Sequence, residues 1–325
     1  MRIVVVSEAY SPGMGYTENC LPRALGRLGH EVHLVTSRYN VYGASPAYRA
    51  TYERYLGPPT VPAGVSEAEG YIVHRLPSDS IGSYVYIRGL EPFVRHLAPD
   101  VVQITSVVTL VALGLTLAPR KLPHPVFAEC HQHLSVVKPY LRGGPWYDPR
   151  RIYHRLTRRL PGARSAARLQ RCYAIAPDCA RVAAEIYGIP EAKIEVLPLG
   201  TDTDLFSPPA NDADREARHS ARSALGVGSG ETLCLYTGRL TEAKNPLLLG
   251  QAVHALRARG MPYHALFIGA GPQKAAIEAM DGCRTVPFRK HDELAACYRA
   301  ADVGVWPREE SMSMLDASSS GLPLV

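Results

Sequence analysis

Tyr236-Thr-Gly-Arg-Leu-Thr-Glu-Ala-Lys-Asn-Pro246 joins an apolar run of strand length, 233–236, to an apolar run of helical length, 247–256. Strand, turn and helix in that order form the repeating unit of a parallel α/β sheet, and the turn at the carboxyl end of such a strand is where these sheets bind ligands. This turn carries two long cations, Arg239 and Lys244, and a helix start follows Asn245-Pro246. Cations combined with the unpaired N–H groups of a helix start suit a phosphate or diphosphate. The plainer alternative is a solvated loop, since loops at strand ends are often charged.

The same alternation extends outward in both directions. Strand-like runs at 2–6, 31–36, 71–75, 101–104, 125–128, 171–174 and 193–197 are interleaved with helix-like runs at 17–28, 87–96, 108–117, 149–169 and 180–187. Residues 207–231 break the pattern with Pro-Pro, a charged segment and Gly-Val-Gly-Ser-Gly, which reads as a linker with room for one short helix. Alternation then resumes, with strands at 232–236, 264–268, 284–286 and 303–306 and helices at 246–259, 272–280, 292–300 and 313–320. The expected fold is α/β, with Rossmann-like domains at 1–207 and 231–325 joined by a linker at 208–230 and facing a cleft. The last residues, Gly321-Leu-Pro-Leu-Val325, read as a turn entering another strand. The second domain is therefore expected to be incomplete, because a sheet cut there has an unpaired edge; a compact natural terminus is the alternative.

At 325 residues the chain is long for a single core. Its 46% apolar and 20% charged content fits a soluble globular protein. No apolar run approaches the ~20 residues that span a bilayer. Met-Arg-Ile-Val-Val-Val-Ser reads as a first strand, not a signal peptide. Seven scattered cysteines without a C-x-x-C pair fit a reduced, cytoplasmic setting. A net charge of +6 does not by itself imply nucleic acid.

Other constellations carry chemistry. In Ser7-Glu-Ala-Tyr-Ser-Pro-Gly-Met-Gly-Tyr-Thr17, Gly13 and Gly15 would let the backbone approach a ligand, or would only reverse the chain. Gly269-Ala-Gly271 has two glycines of a dinucleotide fingerprint but Lys274 in place of the third, so a nicotinamide site is not expected. Asp202-Thr-Asp204 has metal-binding spacing, yet an Asx-turn or cap is the simpler task. In Glu129-Cys-His-Gln-His133, a histidine after a strand offers a proton donor, while a lone H-x-H is a weak metal signal. Arg150-Arg-Ile-Tyr-His-Arg-Leu-Thr-Arg-Arg-Leu160 is a basic helical stretch, either a solvated face or a rest on an anionic membrane. Glu309, Glu310 and Asp316 flank a helix start, where acids grip sugar hydroxyls or complement the helix dipole.

Five motifs in order resemble glycosyltransferase family 4 of the two-Rossmann GT-B class. They are Leu25-Gly-Arg-Leu-Gly-His-Glu-Val-His-Leu-Val-Thr36; Leu197-Pro-Leu-Gly-Thr-Asp202 with Phe206; Thr237-Gly-Arg-Leu with Lys244; Phe267-Ile-Gly-Ala-Gly-Pro272; and Ala300-Ala-Asp-Val303. The resemblance covers nearly the whole chain. It implies a nucleotide-sugar donor on the second half, an acceptor on the first, anomeric retention, no cofactor and no required metal. By the same resemblance, Arg239 and Lys244 hold the donor diphosphate and Asp316 takes the ribose hydroxyls. Glu310, with Glu309 as the second choice, contacts the transferred sugar. His131 lies near the reacting centre, and Gly13 and Gly15 belong to the N-terminal donor-side loop. This sequence departs from the family pattern of two glutamates with seven residues between them: Asp316 replaces the second, five residues separate it from Glu310, and Ser311-Met-Ser313 replaces Gly-Phe-Gly.

The expected activity is transfer of a hexose-type sugar from a nucleotide-diphosphate donor to a hydroxyl of a saccharide or lipid-linked acceptor, in surface polysaccharide or glycolipid synthesis. Closure of the two halves would exclude water. A cytoplasmic location is expected, with peripheral contact at the inner membrane face left open and no nucleic-acid partner. The rival readings are a nucleotide-sugar epimerase or sugar phosphorylase on the same fold, or a non-catalytic nucleotide-sugar binder.

Overall fold

The first strand, β1 (Arg2–Ser7), is apolar at four consecutive positions because both of its faces are covered. Val4 and Val6 point into one buried cluster, with Val102, Ile104 and Ala128. Ile3 and Val5 point into another, with Val32, Leu34 and Val73 and with Leu21 and Leu25 of the helix Thr17–Arg27. Successive strand residues face opposite sides, so a continuous apolar run signals a strand buried between helical layers.

The computed structural model describes residues 1–325 except Ala47, Ser83, Lys121, Gly144, Glu309 and Glu310. The chain divides into unit 1, Met1–Pro12 with Thr17–Leu199, and unit 2, Gly13–Tyr16 with Gly200–Val325. Unit 1 contains β2 (Glu31–Thr36), β3 (Gly64–Ala68), β4 (Tyr71–Arg75), β5 (Ser78–Ile81), β6 (Tyr84–Ile87), β7 (Val101–Ile104), β8 (Val126–Cys130), β9 (Arg171–Ala174) and β10 (Ile194–Val196). Its main sheet has the order β10-β9-β8-β7-β1-β2-β4-β3, parallel except that β3 runs against β4, and β5 and β6 form a separate hairpin. From β1 the connections proceed one way to β2 and the other way to β7. The carboxyl ends of β1 and β7 therefore flank a topological switch point, the usual ligand position in such sheets.

Unit 2 contains β11 (Thr232–Thr237), β12 (Tyr263–Ile268), β13 (Cys283–Val286) and β14 (Val303–Gly304), in the parallel order β13-β12-β11-β14. Its switch point lies between β11 and β14. Leu324 pairs in parallel with Gly304 at the β14 side. Phe206 is fully buried here, its ring 4.7 Å from His291 and 5.6 Å from Tyr298. Full burial of such a ring is worth about 1.5–3 kcal/mol. Residues 200–207, read from sequence as the end of the first domain, thus pack with the second unit. Among the described residues no helix is long and apolar enough to cross a membrane.

The segment expected to be a linker is largely helical. Asp212–Ala224 forms a helix capped by the Asn211 side chain, which accepts the Asp214 amide at 2.9 Å. Arg222 is buried and donates to the Ala300 carbonyl at 3.0 Å, the Gly228 carbonyl at 3.0 Å and Asp302 Oδ2 at 2.8 Å. Arg218 donates to Asp302 Oδ1 at 2.5 Å, and the Leu233 amide donates to Asp302 Oδ2 at 2.8 Å. Burial works to raise the Asp302 pKa, but the Leu233 amide and the two arginines outweigh it and hold the carboxyl below its ordinary value. A depressed carboxyl pKa adds stability above the unfolded value, which is lost as pH falls through the folded value. Asp302→Asn keeps the shape and removes the charge. Unit 2 should lose about 2 kcal/mol in urea unfolding at pH 7, and an unchanged midpoint would show that the backbone carbonyls alone hold the helix.

A second long-range pair sits in unit 1. His33 and His74 are buried, their rings stack at 5.1 Å, and His33 Nδ1 lies 2.9 Å from His74 Nε2. Glu31 Oε1 lies 3.1 Å from His33 Nε2 and also accepts from Arg2 Nε at 2.8 Å, while Phe93 packs against His74. Burial, and then the His33 neighbour, lowers the His74 pKa. Above the unfolded histidine value of about 6.5 both states are neutral. Below it the unfolded chain takes a proton that folded His74 resists, so stability falls as pH drops from there through the folded value. The urea midpoint of unit 1 should fall between pH 7.5 and pH 5.0, and fall less in His74→Gln; equal falls would remove His74 as the cause.

Candidate functional site

In unit 2 the carboxyl end of β11 is built to present a turn. Trp306 Nε1 donates to the Thr237 carbonyl at 3.0 Å, and the Thr237 and Tyr298 hydroxyls lie 3.0 Å apart. The chain leaves the strand through Gly238 at φ 146°. The Tyr236 hydroxyl donates to the Arg239 carbonyl at 2.9 Å, and the Leu240 side chain is fully buried. Arg239 is thus exposed on a backbone clamped from both sides. The Lys244 and Asn245 amides both bond to the Thr241 carbonyl, at 3.1 and 2.8 Å. Asn245 takes a left-handed φ of 49°, which asparagine tolerates better than most residues. The helix Leu247–Ala258 follows.

The turn after β12 backs this one. The Gly238 amide donates to Ile268 O at 3.0 Å, Leu240 N to Ala270 O at 2.9 Å and Gln273 N to Leu240 O at 3.0 Å. A Cβ on Gly269 would lie 2.0 Å from Gly238 O, and one on Gly271 would lie 2.4 Å from Leu240 O. The G-x-G pair therefore lets two backbones touch, which accounts for it without a dinucleotide. Thr241 Oγ1 and Gln273 Oε1, at this junction, are buried without a protein partner, an uncommon state for a polar atom.

Asp316, on the helix Met312–Ser319, is buried. Its Oδ1 accepts from the Thr201 hydroxyl at 2.5 Å and its Oδ2 from His291 Nε2 at 3.1 Å. Each carboxylate oxygen keeps further acceptor capacity, but the inward bonds make Asp316 a structural tie as well as a candidate ligand. Gly13 and Gly15 belong to this unit. Gly13 O accepts the His291 amide at 3.0 Å, a Cβ on Gly13 would meet the Lys290 side chain at 3.1 Å, and one on Gly15 would meet the His291 ring at 2.3 Å. The space these glycines leave is filled by protein. Glu309 and Glu310 lie outside the described residues.

In unit 1, His131 follows β8, where its Nε2–H donates to Glu129 Oε2 at 2.6 Å. Gln103, on the neighbouring strand β7, donates to Glu129 Oε1 at 2.7 Å. Glu18, at the start of the helix Thr17–Arg27, interacts electrostatically with both His131 and Glu129, and burial pushes its carboxyl up to about 7. A carboxyl that titrates near neutrality can hold or release a proton. Sequence reasoning did not single out Glu18, Gln103, Thr201 or His291. No local spacing marks them, since each joins its partners across the fold.

Among the described residues, one group brings metal-type ligand atoms within 4.8 Å of one another: His133, Asp178 and Cys179. The Asp178 carboxylate is already engaged by His133 Nδ1 at 3.1 Å and by the Leu134 amide at 3.0 Å. Burial pushes the Cys179 thiol up to about 12. A metal would have to displace the first bonds and ionise the second group. Asp202 caps its own turn, with Oδ1 accepting the Asp204 amide at 3.2 Å.

The family model described as Glycosyltransferase Family 4 matches residues 20–205, more than half of the chain. The model described as Glycosyl transferases group 1 matches residues 231–325. The chain belongs to glycosyltransferase family 4, and its α/β fold with parallel sheets is that of the GT-B class. A D-inositol 3-phosphate glycosyltransferase of Mycobacterium tuberculosis is 29% identical over 164 residues, or 46% of this chain and 32% of that protein. The match thus spans about a third of that relative's length. The solved structure of a glycosyltransferase from Rickettsia africae has a TM-score of 0.63 at 14% identity, covering 99% of this chain and 78% of that one. WaaG, a glycosyltransferase involved in lipopolysaccharide biosynthesis, has a TM-score of 0.62 at 14% identity, covering 99% and 80%. At such identities the structural likeness bears on fold alone.

Proposed function

We propose that the chain is a glycosyltransferase that moves a hexose-type sugar from a nucleotide-diphosphate donor to a hydroxyl of a saccharide or lipid-linked acceptor. The observation that carries this reading is the turn at 238–244. It holds Arg239 outward on a clamped backbone and sets Lys244 just before a helix, at the switch point between β11 and β14. When the bond from the anomeric carbon to the diphosphate breaks, negative charge grows on the leaving oxygen. Fixed cations aimed at that position lower the barrier. The two cations take the charge-compensating task that a metal would otherwise have, which supports metal independence; retention of configuration is part of the proposal, and the family resemblance supports it.

Asp316, tied to Thr201 and His291, is assigned to the ribose hydroxyls, and Gly13 and Gly15 shape the donor side through their seat on Lys290 and His291. Glu310, with Glu309 as second choice, is assigned to the transferred sugar. In unit 1, His131 is assigned to steadying the reacting sugar, its tautomer fixed by Glu129. Surface polysaccharide or glycolipid synthesis is the proposed setting, supported by the likeness in fold to WaaG, which is involved in lipopolysaccharide biosynthesis.

Calorimetric titration with UDP, GDP and ADP tests the reading. One of the three should bind in the micromolar range, and its sugar conjugate should then yield a product only when an acceptor is present. Turnover without an acceptor would indicate an epimerase, and turnover that consumes or releases free phosphate a phosphorylase. Binding without turnover on any acceptor would leave a nucleotide-sugar binder. No binding at all would sink the proposal.

A further inference from the structure

The two loops that follow β8 and β9 meet. The strands are parallel neighbours, with Cys130 opposite Ala174, and the Ile175 amide extends the pairing by donating to the Cys130 carbonyl at 3.2 Å. Beyond that bond β8 leads to His133 and the short turn Leu134–Val136. β9 leads to the helix Pro177–Arg181, whose first turn carries Asp178 and Cys179. Parallel neighbours bring their following loops to the same end of the sheet, so residues 45 positions apart in sequence come into contact.

One carboxylate collects the donors. The His133 Nδ1–H donates to Asp178 Oδ1 and Oδ2, each at 3.1 Å, and the Leu134 amide donates to Oδ2 at 3.0 Å. The Cys179 amide and the Cys179 thiol also bond to this carboxylate. Burial works to raise the Asp178 pKa, but the Leu134 amide and His133 outweigh it and hold the carboxyl below its ordinary value. A ring nitrogen of His133, a carboxylate oxygen of Asp178 and Cys179 Sγ all lie within 4.8 Å of one another. Imidazole and thiol become metal ligands once their protons leave. The two backbone amides would stay on the carboxylate and orient it, as outer partners of metal ligands do. An ion would thus stand where two protons now point at one carboxylate.

We propose that His133, Asp178 and Cys179 bind a divalent ion of the zinc class, with water in the fourth position. Nitrogen, oxygen and thiolate donors together select zinc or cobalt over magnesium or calcium, which take oxygen. Tetrahedral zinc bonds of about 2.0–2.3 Å set donor atoms about 3.3–3.8 Å apart, so atoms already within 4.8 Å need only close on the ion. Solvent reaches the group, because the His133 and Asp178 side chains are 26% and 36% exposed. The protons balance. Neutral His133 moves its proton from Nδ1 to Nε2, the thiol gives its proton to solvent because a coordinating thiol ionises, and binding releases about one proton per ion. The ion ties the segment that carries His131 to the helix after β9. The site lies in unit 1, apart from the diphosphate turn of unit 2, and takes no step of the transfer.

Metal titration of the untagged full chain, without nucleotide, tests the site. Zinc should bind in the micromolar range or tighter and raise the thermal melt by mass action, while millimolar magnesium should leave the melt unchanged. Calorimetry in buffers of different ionisation enthalpy should give about one proton released per zinc. Cobalt should bring up a thiolate-to-cobalt charge-transfer band in the near ultraviolet. That band should vanish in Cys179→Ala and persist in Cys297→Ser, which removes a thiol of unit 2. His133→Ala, at a half-buried position that tolerates truncation, should lower zinc affinity more than about tenfold, and it decides the matter even if the buried Cys179 substitution fails to fold. A melt indifferent to zinc, a charge-transfer band that survives in folded Cys179→Ala, or undiminished zinc affinity in His133→Ala would overturn the assignment.

Discussion

Arg239→Ala and Lys244→Ala should each lower sugar transfer by about 10²- to 10³-fold, the loss seen when one preorganised donor to a developing oxyanion is removed. The double variant should lose more than either single, yet less than the product of the two, because both cations act on the same diphosphate. Nucleotide diphosphate binding should weaken in parallel, since the ground-state diphosphate already carries charge. A loss of kcat larger than the loss of affinity would show that the cations matter most when the leaving group separates. Leu240, the Tyr236 hydroxyl and backbone bonds to Ile268 and Ala270 hold the turn, and a thermal melt of each variant separates a lost charge from a lost fold. Donor turnover in the double variant within a few fold of wild type, with the melt unchanged, would refute the assignment of this turn to the diphosphate.

The parts of this molecule that the sequence makes legible are those whose cause is local. β1, β2 and β11 are buried on both faces and read as apolar runs, broken in β2 only by His33, so their positions follow from composition over six residues. β3 was hidden because it is an exposed edge strand, Gly-Val-Ser-Glu-Ala, with no apolar face to betray it. The β5–β6 hairpin was hidden by its brevity, and Ile87 reads equally well as the start of a helix. The helix Asp212–Ala224 read as no more than one short helix within a linker, because ionic bonds from Arg218 and Arg222 to Asp302, about 80 positions away, hold it, and periodicity does not report such bonds. The site divides the same way. Arg239 and Lys244 lie on one turn within six residues. The tie from Thr201 through Asp316 to His291 spans 115 and 25 positions. The loop Gly13–Tyr16 belongs by sequence to the first strand and by packing to the second unit, because the His291 ring occupies the space that a side chain at Gly15 would need.

Gly269→Ala should be the most damaging single methyl group in unit 2. Two costs combine. Residue 269 sits at φ 149°, a conformation open to glycine and costly for any other residue, at about 1–3 kcal/mol. The new Cβ would also lie 2.0 Å from Gly238 O, a backbone atom that cannot rotate aside. Relief requires the turns after β11 and β12 to separate, which strains the Gly238–Ile268 and Leu240–Ala270 bonds at about 1 kcal/mol each. The expected loss is about 3–5 kcal/mol, a large share of the 5–15 kcal/mol that holds a typical domain. Gly230→Ala is the matched control, because a Cβ there meets nothing within 4 Å, and it should stay within about 0.5 kcal/mol of wild type. Urea unfolding of the two variants, followed by circular dichroism, decides the matter. At temperatures where Gly269→Ala remains folded, nucleotide affinity should still fall, since the displaced turn carries Arg239. A glycine kept for close approach of a dinucleotide would behave differently: its methyl group would project into an open site, cost little stability and block only the ligand. Wild-type stability in Gly269→Ala would therefore refute the backing of one turn by the other.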